Sequence, residues 1–228
     1  VLNWQGFSIA SGELVNFNQP GATSVALNRV LGSDPSSIFG SLTANGQVFL
    51  VNPSGVLFAP GASVSVGGLV ASTLNISDAD FMAGNNTFAN GGNAGTVVNQ
   101  GNISAGYAAL LAPQVSNQGT IVARMGSVAL AAGDRVTLDL VGDGLISVAV
   151  DSAAVNASIA NSGLIQADGG KVLLTARSAN ALLDTVINMD GVVKANTLIN
   201  RNGTIVLDGG SAGVVSVSGT LDASGTGA

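Results

Sequence analysis

The amino-acid sequence predicts an all-β fold, a parallel β-helix, on three observations. A phrase of the form Asn-x-Gly-x-Ile-x-Ala recurs along the chain, and repeats of roughly 20 residues are typical of solenoids, whose coils bury their apolar faces by stacking. Short segments such as Ala62–Val66 and Val136–Leu140 alternate apolar and polar residues, as strands with one buried face do. The 228 residues include 32 Gly and only 9% charged residues, and Glu13 is the single Glu, a composition that disfavours helices.

Three complete copies of the phrase share an Asn and a Gly two positions later: Asn99 and Gly101, Asn117 and Gly119, Asn161 and Gly163. A looser copy spans Asn188–Ala195, and the end of the phrase returns at Gly203 and Gly219. We expect the Asn and Gly positions at corners of the coil, because both residues tolerate positive φ, and we expect ladders of hydrogen-bonded Asn side chains. One apolar position per copy is expected to form an interior column: Ile103, Ile121, Ile165, Val193 and Ile205. The small position that follows has little room: Ala105, Ala123, Ala167 and Ala195.

The repeats also predict the size of the fold and the places where the chain leaves the coil. About ten coils would make a rod about 45 to 50 Å long, since each coil climbs one strand spacing. Three segments break the strand pattern and are expected outside the coil as short helical turns or loops. Ser33–Phe39 places Pro35 at a first helical position, Ser77–Met82 reads as one helical turn, and Ser178–Ile187 is the best helical candidate. The alternative fold is an antiparallel β-sandwich with similar turns.

Charge and composition disfavour several classes of partner. The net charge is −6 and the sequence pI is ≈ 4.2, and no basic stripe is present, so neither nucleic acid nor an anionic membrane surface is expected as a partner. The chain has no Cys. No apolar run approaches the roughly 18 residues of a membrane span, since charges interrupt even Val128–Val150.

The first residues, Val1–Trp4, read as the interior of a strand without a signal peptide, and we expect the chain to begin inside a larger protein.

A long ordered string of residues resembles a known family. The string starts with Asn28-Arg29-Val30 and continues through residues 44–58, which end in the turn Asn52-Pro53-Ser54-Gly55 and the run Val56–Phe58. With residues 67–74, residues 78–84 and the Asn-x-Gly repeats, nearly the whole chain is similar to the secretion domain of two-partner-secretion exoproteins. This family includes the filamentous haemagglutinins and high-molecular-weight adhesins of Gram-negative bacteria.

The resemblance implies a right-handed, single-stranded parallel β-helix with a few short extrahelical loops, hairpins or helical turns. It implies one secretion domain over 1–228 whose N-terminal cap precedes Val1, with a motif-rich part over 1–75 and regular repeats over 95–228. The implied function is that of the N-terminal secretion domain of a large exported adhesin. The periplasmic modules of an outer-membrane transporter would recognise the domain, which would then serve as a folding template at the bacterial surface. Host-cell or surface glycans are expected as ligands only of downstream regions, and the domain is expected to be a monomer.

The resemblance also assigns candidate site residues. The family's Asn-Pro-Asn-Gly motif falls on Asn52-Pro53-Ser54-Gly55, where Ser54 replaces the second Asn. Both residue types accept hydrogen bonds in turns, so the turn is expected to survive. These four residues, together with Asn28 and Arg29, are the candidates for transporter recognition. Two interpretations of each stay open: the Asn52 turn specifies local geometry or contacts the transporter, and Arg29 anchors a loop or binds a partner.

A polysaccharide-degrading β-helical enzyme and a structural adhesin segment without a transporter role are the alternative functions. An enzyme of the first kind would need paired carboxylates or a positioned acid and base. The densest acidic group lies largely in turn contexts: Asp134, Asp139, Asp143 and Asp151. Because the chain also has no His and no Cys, we predict no catalytic residue, no metal site and no cofactor.

Two further features have ordinary structural interpretations. Asp168-Gly169-Gly170 and Asp208-Gly209-Gly210 resemble calcium-binding Gly-Asp repeats, but they lack the nonapeptide period. Trp4, Phe7 and Phe17 could form a platform for a carbohydrate, whereas packing in the core or at one end of the coil is the preferred interpretation.

Overall fold

The structure is a computed structural model that describes residues 1–92, 95–123, 125–140, 146–179, 185–198 and 201–225. The chain passes repeatedly from a strand of sheet A to one of sheet B and then one of sheet C. Sheet A is 8-stranded: β1 (Leu2–Trp4), β3 (Val25–Val30), β6 (Gln47–Val51), β9 (Gly68–Ser72), β13 (Ala108–Ala112), β16 (Ser127–Ala132), β21 (Lys171–Ala176) and β24 (Thr204–Asp208). Sheet B is 7-stranded: β4 (Ser36–Ile38), β7 (Val56–Phe58), β11 (Thr96–Asn99), β14 (Gln114–Asn117), β19 (Ser158–Asn161), β22 (Thr185–Met189) and β25 (Val214–Val217). Sheet C is 8-stranded: β2 (Leu14–Phe17), β5 (Ser41–Ala44), β8 (Ser63–Val66), β12 (Asn102–Ala105), β15 (Thr120–Val122), β20 (Leu164–Gln166), β23 (Val192–Lys194) and β26 (Thr220–Asp222).

This architecture confirms the predicted parallel β-helix. Within sheets A, B and C all described strand pairs are parallel, which contradicts the alternative of an antiparallel β-sandwich. The expected ten coils are too many, because sheets A and C contain 8 strands each in the described part of the chain. Eight strands at the usual spacing span roughly 34 Å. The difference arises because part of the sequence leaves the coil after β9 and again after β16.

Aligned apolar residues fill the interior of the coil. One interior column runs through sheet C in register: Leu42, Val64, Ile103, Ile121, Ile165 and Val193. Leu221, which is 41% exposed on the last strand, continues the same register. The prediction was right for four of its five members and wrong for Ile205, which pairs with Val172 in sheet A. Only 12 positions separate Ile205 from Val193, which is too few for a coil of roughly 20 residues, and Leu221 takes the expected place.

Two excursions form a second layer over the outward face of sheet A, and their described residues, 73–92, 134–140 and 146–152, are together called the outer module. The first excursion contains helix α1 (Asp78–Ala83) and strand β10 (Asn86–Ala89), and the second contains β17 (Arg135–Asp139) and β18 (Ser147–Ser152). These three strands form an antiparallel sheet in the order β10-β17-β18. The module buries an outward apolar row of sheet A: Leu27, Phe49, Val70, Ala109, Ala129 and Leu173.

The three predicted helical segments have different outcomes. The helical turn at Ser77 is confirmed, because the Ser77 side chain accepts a hydrogen bond from the backbone N–H of Asp80 at the start of α1. The prediction for Ser33–Phe39 was wrong: Ser36–Ile38 is β4, and pairing with β7 buries Ser36 and Ile38 completely. The prediction for Ser178–Ile187 was wrong at its end, where β22 begins at Thr185, while residues 180–184 lie outside the described residues. Burial in a sheet thus overrides local helical signals.

Candidate functional site

The Asn52 turn connects β6 to β7 at the corner between sheets A and B. The backbone N–H of Gly55 donates to the Asn52 carbonyl at 3.1 Å, and the N–H of Ser54 donates to Asn52 Oδ1 at 2.9 Å. The Asn side chain therefore closes an Asx turn inside a β-turn. Gly55 has φ 130°, in the region that disfavours residues with a Cβ.

The carboxamide of Asn52 lies inside the protein. Asn52 is completely buried, and its Nδ2 donates to the carbonyl oxygen of Asp34 at 3.0 Å and to Ser36 Oγ at 3.0 Å. These bonds join the turn to the segment that leads into β4 on the neighbouring coil. Both polar ends of the side chain are thus engaged, and replacing it by an apolar residue would leave buried partners unsatisfied.

The other residues of the turn also contribute to stacking. The carbonyl oxygen of Pro53 accepts a hydrogen bond from the N–H of Gly95 at 2.7 Å, which joins the turn to the segment leading into β11. A Cβ on Gly95 would lie 2.7 Å from the carbonyl oxygen of Ser54, so the two segments are in close contact. Position 54 contributes its backbone N–H to the Asx turn, and the turn forms with Ser in place of Asn.

Asn28 is a buried link between the first strands of sheet A. It is completely buried. Its Oδ1 accepts a hydrogen bond from Trp4 Nε1 at 3.1 Å, and its Nδ2 donates to the carbonyl oxygen of Ala26 at 3.2 Å. Because Asn28 is paired with Leu50, which belongs to the interior core, its side chain satisfies polar groups at the margin of that core.

Arg29 points the opposite way, towards the outer module. Its Nη1 forms an ion pair with Asp78 Oδ1 at 2.6 Å, and its Nη2 donates to the carbonyl oxygen of Ile76 at 2.6 Å. Its Nε donates to Asn75 Oδ1 at 3.1 Å. Only 12% of the Arg29 side chain is exposed, so in the folded domain its geometry is that of a loop anchor.

The six candidate residues do not converge on one surface. Arg29 is paired with Val51 across sheet A, so the Asn52 turn begins directly after the strand neighbour of Arg29. Nevertheless, Asn28 and Asn52 are buried while Arg29 lies under the module. The sequence did not indicate their partners Ser36, Asn75 and Asp78, because these residues come from other coils or from the excursion.

The repeat residues form a buried ladder on sheet B. Asn99 Nδ2 donates to Asn117 Oδ1 at 2.8 Å, and Asn117 Nδ2 donates to Asn161 Oδ1 at 2.6 Å. The predicted Asn ladder is therefore confirmed. Apolar residues flank it on the two neighbouring strands, Phe58 beside Asn99 and Met189 beside Asn161.

The glycines of the repeats serve a different purpose from the predicted one. Gly101, Gly119 and Gly163 are not among the described residues with positive φ. Their corners stack so closely that a Cβ on Gly119 would lie 2.2 Å from the carbonyl oxygen of Gly101. Lack of space, rather than left-handed backbone, selects glycine at these positions.

Trp4, Phe7 and Phe17 pack against one another at the first coil. The ring centroids of Trp4 and Phe7 lie 5.6 Å apart in an edge arrangement, and those of Phe7 and Phe17 lie 6.4 Å apart in a stacked one. Phe7 is 7% exposed and belongs to the interior core. This arrangement agrees with packing at the end of the coil.

The acidic residues are dispersed and engaged with polar neighbours. Asp134 Oδ1 accepts from Asn90 Nδ2 at 2.8 Å, and Asp151 Oδ2 accepts from the Thr137 hydroxyl at 2.6 Å. Asp143 lies outside the described residues. No three acidic, His or Cys side chains gather into a metal-binding group within the described ranges.

The Asp-Gly-Gly segments also have local roles. Asp208 forms an ion pair with Arg177 at 2.6 Å. The hydrogen bond from Arg177 holds the pKa of the Asp208 carboxyl below its ordinary value. Asp168 Oδ1 accepts from the N–H of Asn196 at 3.0 Å.

In the described part of the chain the helix α1, with 6 residues, is much too short to cross a membrane.

Comparison with known proteins finds a matching family, similar relatives and a similar solved structure. Residues 1–223 match the family described as TPS secretion domain. Two heme/hemopexin-binding proteins of Haemophilus influenzae, one of them from strain Rd, are 37% identical over 216 residues and 33% identical over 230 residues. Each match covers 90% of this chain but only 24% of the relative. The crystal structure of the HMW1 secretion domain from Haemophilus influenzae matches with a TM-score of 0.88 and 32% identity, over 98% of this chain and 59% of that chain.

Proposed function

The chain belongs to the family of two-partner-secretion (TPS) secretion domains, and from this membership we propose how it works in two steps, capture and templating. As a member, it is the secretion domain of an exported, adhesin-like exoprotein that reaches the cell surface or medium through the outer membrane. The family implies an outer-membrane transporter as partner. The alternatives of a polysaccharide-degrading enzyme and of a segment without a transporter role do not fit this membership.

In the first step, the transporter's periplasmic modules capture the domain as an extended chain. The burial of Asn28 and Asn52 supports this order, since neither carboxamide is accessible once the coil has formed. Addition of a strand to an open sheet edge is a suitable mode for binding an unfolded, strand-forming segment. Direct contact of these residues with the transporter thus precedes folding, and the turn geometry acts afterwards.

In the second step, the folded domain templates further coils, and the observation that carries this proposal is the end face formed by β24, β25 and β26. These strands are the last members of their three sheets in the described residues. Ile205, Leu207 and Val215 pack against the interior core but are only partly buried. A further coil stacked on this face would pair the free strand edges and cover these apolar side chains.

The templating step can be tested in a longer exoprotein by replacing neighbouring residues of β25. Val215→Lys places a charge in the interior of the next interface and should delay protease resistance of the downstream coils. Val214→Lys is the matched control, because Val214 is 38% exposed on the same strand. Equal protease resistance of both variants and the unmodified exoprotein would contradict templating from this face.

The capture step can be tested by comparing two buried Asn residues. Asn52→Ala and Asn117→Ala each remove a completely buried, hydrogen-bonded carboxamide, and each should destabilise the domain by about 1 to 3 kcal/mol. If the transporter reads the extended motif, Asn52→Ala reduces secretion of the full exoprotein much more than Asn117→Ala. Equal secretion of the two variants would remove Asn52 from recognition and leave it a structural role.

We further propose that the domain has no catalytic activity and that binding of host ligands, surface glycans included, lies in regions beyond it. The relatives that it matches are named for secretion or binding, and the domain spans only 24% of the heme/hemopexin-binding proteins. The carboxylates of Asp134 and Asp151 are engaged by Asn90 and Thr137. Ligand-binding assays on the domain and on the longer exoprotein would separate the two locations.

A further inference from the structure

Arg29 connects parts of the domain that the coil itself does not connect. It lies on β3, whereas its partners Asn75, Ile76 and Asp78 lie in the first excursion, which leaves the coil only after β9. In sheet A, β6 lies between β3 and β9. The excursion therefore returns across a whole strand to reach Arg29.

The excursion covers the first coils with large apolar side chains. Phe81 and Phe88 approach Phe49 of β6, with ring centroids 5.8 Å and 6.2 Å apart. Leu74 and Ile76, from the same excursion, are buried in the apolar cluster between sheet A and the outer module. Without the excursion, this face of β3, β6 and β9 would be open to water, and Arg29 would lose its contacts with residues 75–78.

The second excursion continues this cover over later coils. Strand β10 is paired with β17 from Asn86 opposite Leu138 to Ala89 opposite Arg135. Asn90 Nδ2 also donates to Asp134 Oδ1. The outward row beneath the module runs from Leu27 on β3 to Leu173 on β21, so one layer spans six neighbouring strands of sheet A.

A simple solenoid is held by contacts between adjacent repeats, so its coils can open one after another. We infer that the outer module joins the coils from β3 to β21 into one cooperative unit, and that Arg29 is the latch that fixes the module to the first of them. Arg29 is thus a positioning residue for the module. This inference goes beyond the proposed function, because it concerns the folded domain and holds whether or not the transporter reads the same residues.

The inference is tested by hydrogen exchange of the 228-residue chain, comparing Arg29→Met with Arg177→Met. Arg177 is a matched control because its ion pair with Asp208 has the same 2.6 Å distance but joins the adjacent strands β21 and β24. Arg29→Met should accelerate exchange by about tenfold or more in β3, β6, α1 and β10 together, since the largely buried guanidinium loses its contacts with Asn75, Ile76 and Asp78. Arg177→Met should accelerate exchange in β24, which lies outside the cooperative unit, and leave β3, β6, α1 and β10 protected.

Two further variants keep the test decisive if Arg29→Met folds poorly. Arg29→Lys retains the charge but not the fork that reaches both Asp78 and Ile76, and Asp78→Asn retains the bond to the Ile76 carbonyl. Both should accelerate exchange in the same four elements, by less than Arg29→Met. The inference would be contradicted if exchange accelerated only in the residues next to the substitution. It would also be contradicted if α1 and β10 opened while the protection of β3 and β6 stayed unchanged.

Discussion

The first and last coils of this β-helix are stabilised in different ways. Around β3 and β6, largely buried polar side chains make contacts that do not recur among the described residues, such as Arg29 with Ile76, 47 residues away. From β11 onwards, equivalent residues repeat the same contact, as Asn99 and Asn117 do at a separation of 18 residues. The repeats supply stacking energy in small equal increments, whereas the non-repeating contacts fix where the stack begins and what covers it.

This comparison explains why the motif residues are mostly buried. In the repeats, Asn117 is buried because the coil needs a corner ladder. Asn52 is equally buried, but its partners Asp34 and Ser36 belong to a corner with no copy elsewhere in the described chain. A motif that departs from the repeats of a solenoid therefore indicates a non-repeating contact between coils. Whether it also binds a partner has to be tested separately.

The largest effect is expected from breaking the stacking of corners in the repeats. Gly119→Ala would place a Cβ 2.2 Å from the backbone carbonyl of Gly101, and neither backbone can move without shifting a whole coil. We expect a loss of about 3 kcal/mol in the free energy of unfolding, measured by urea denaturation. Gly21→Ala is the control, because no atom lies within 4 Å of its added Cβ; an equal loss there would contradict the steric argument.

The next effect distinguishes the middle of the Asn ladder from its end. Asn117→Ala removes side-chain bonds to both Asn99 and Asn161 and should cost about 2 kcal/mol. Asn161→Met should cost less, because it removes one ladder bond and the next strand already has Met189 at this position. Unfolding free energies that rank the two variants in the reverse order would show that the ladder does not act as a chain of additive bonds.

Features that depend on neighbouring residues could be predicted from the sequence, and features that depend on distant ones could not. The Asn ladder follows from repeated spacing, and α1 follows from Ser77 as an N-cap. By contrast, Pro35 is a good first helical residue and predicts a helical turn over Ser33–Phe39, while the structure pairs Ser36–Ile38 with β7. The ion pair of Arg29 with Asp78 could not be predicted either, since nothing in the sequence near Asp78 indicates that the excursion returns across β6.

Acid should loosen the last coil through Asp208. The hydrogen bond from Arg177 lowers the pKa of the Asp208 carboxyl in the folded state, so this stabilisation is fully present above the unfolded pKa near 4 and is lost as the pH falls through the lower folded value. Because the Asp208 side chain is 43% exposed, the effect should stay below about 1 kcal/mol.

Hydrogen exchange in β24 between pH 4 and pH 2 measures this loss, with correction for the intrinsic pH dependence of exchange. Asp208→Asn should show less change in β24 protection over the same range. Asp222, whose pKa is lowered to about 2 by hydrogen bonds from Ser224 and Asn196, acts in β26 and serves as an internal comparison. An undiminished acid response of β24 in Asp208→Asn would assign the loosening to another group.

The smallest effect is expected at the one position where the family motif differs. Ser54 provides its backbone N–H to Asn52 Oδ1, and any residue other than Pro offers the same donor. Ser54→Asn should therefore change the free energy of unfolding by no more than about 0.5 kcal/mol. If secretion of the full exoprotein nevertheless rises with Asn at this position, the transporter reads the side chain of residue 54 on the extended chain. Unchanged stability and unchanged secretion would limit the motif's contribution at this position to the backbone of the turn, in contrast to Asn52.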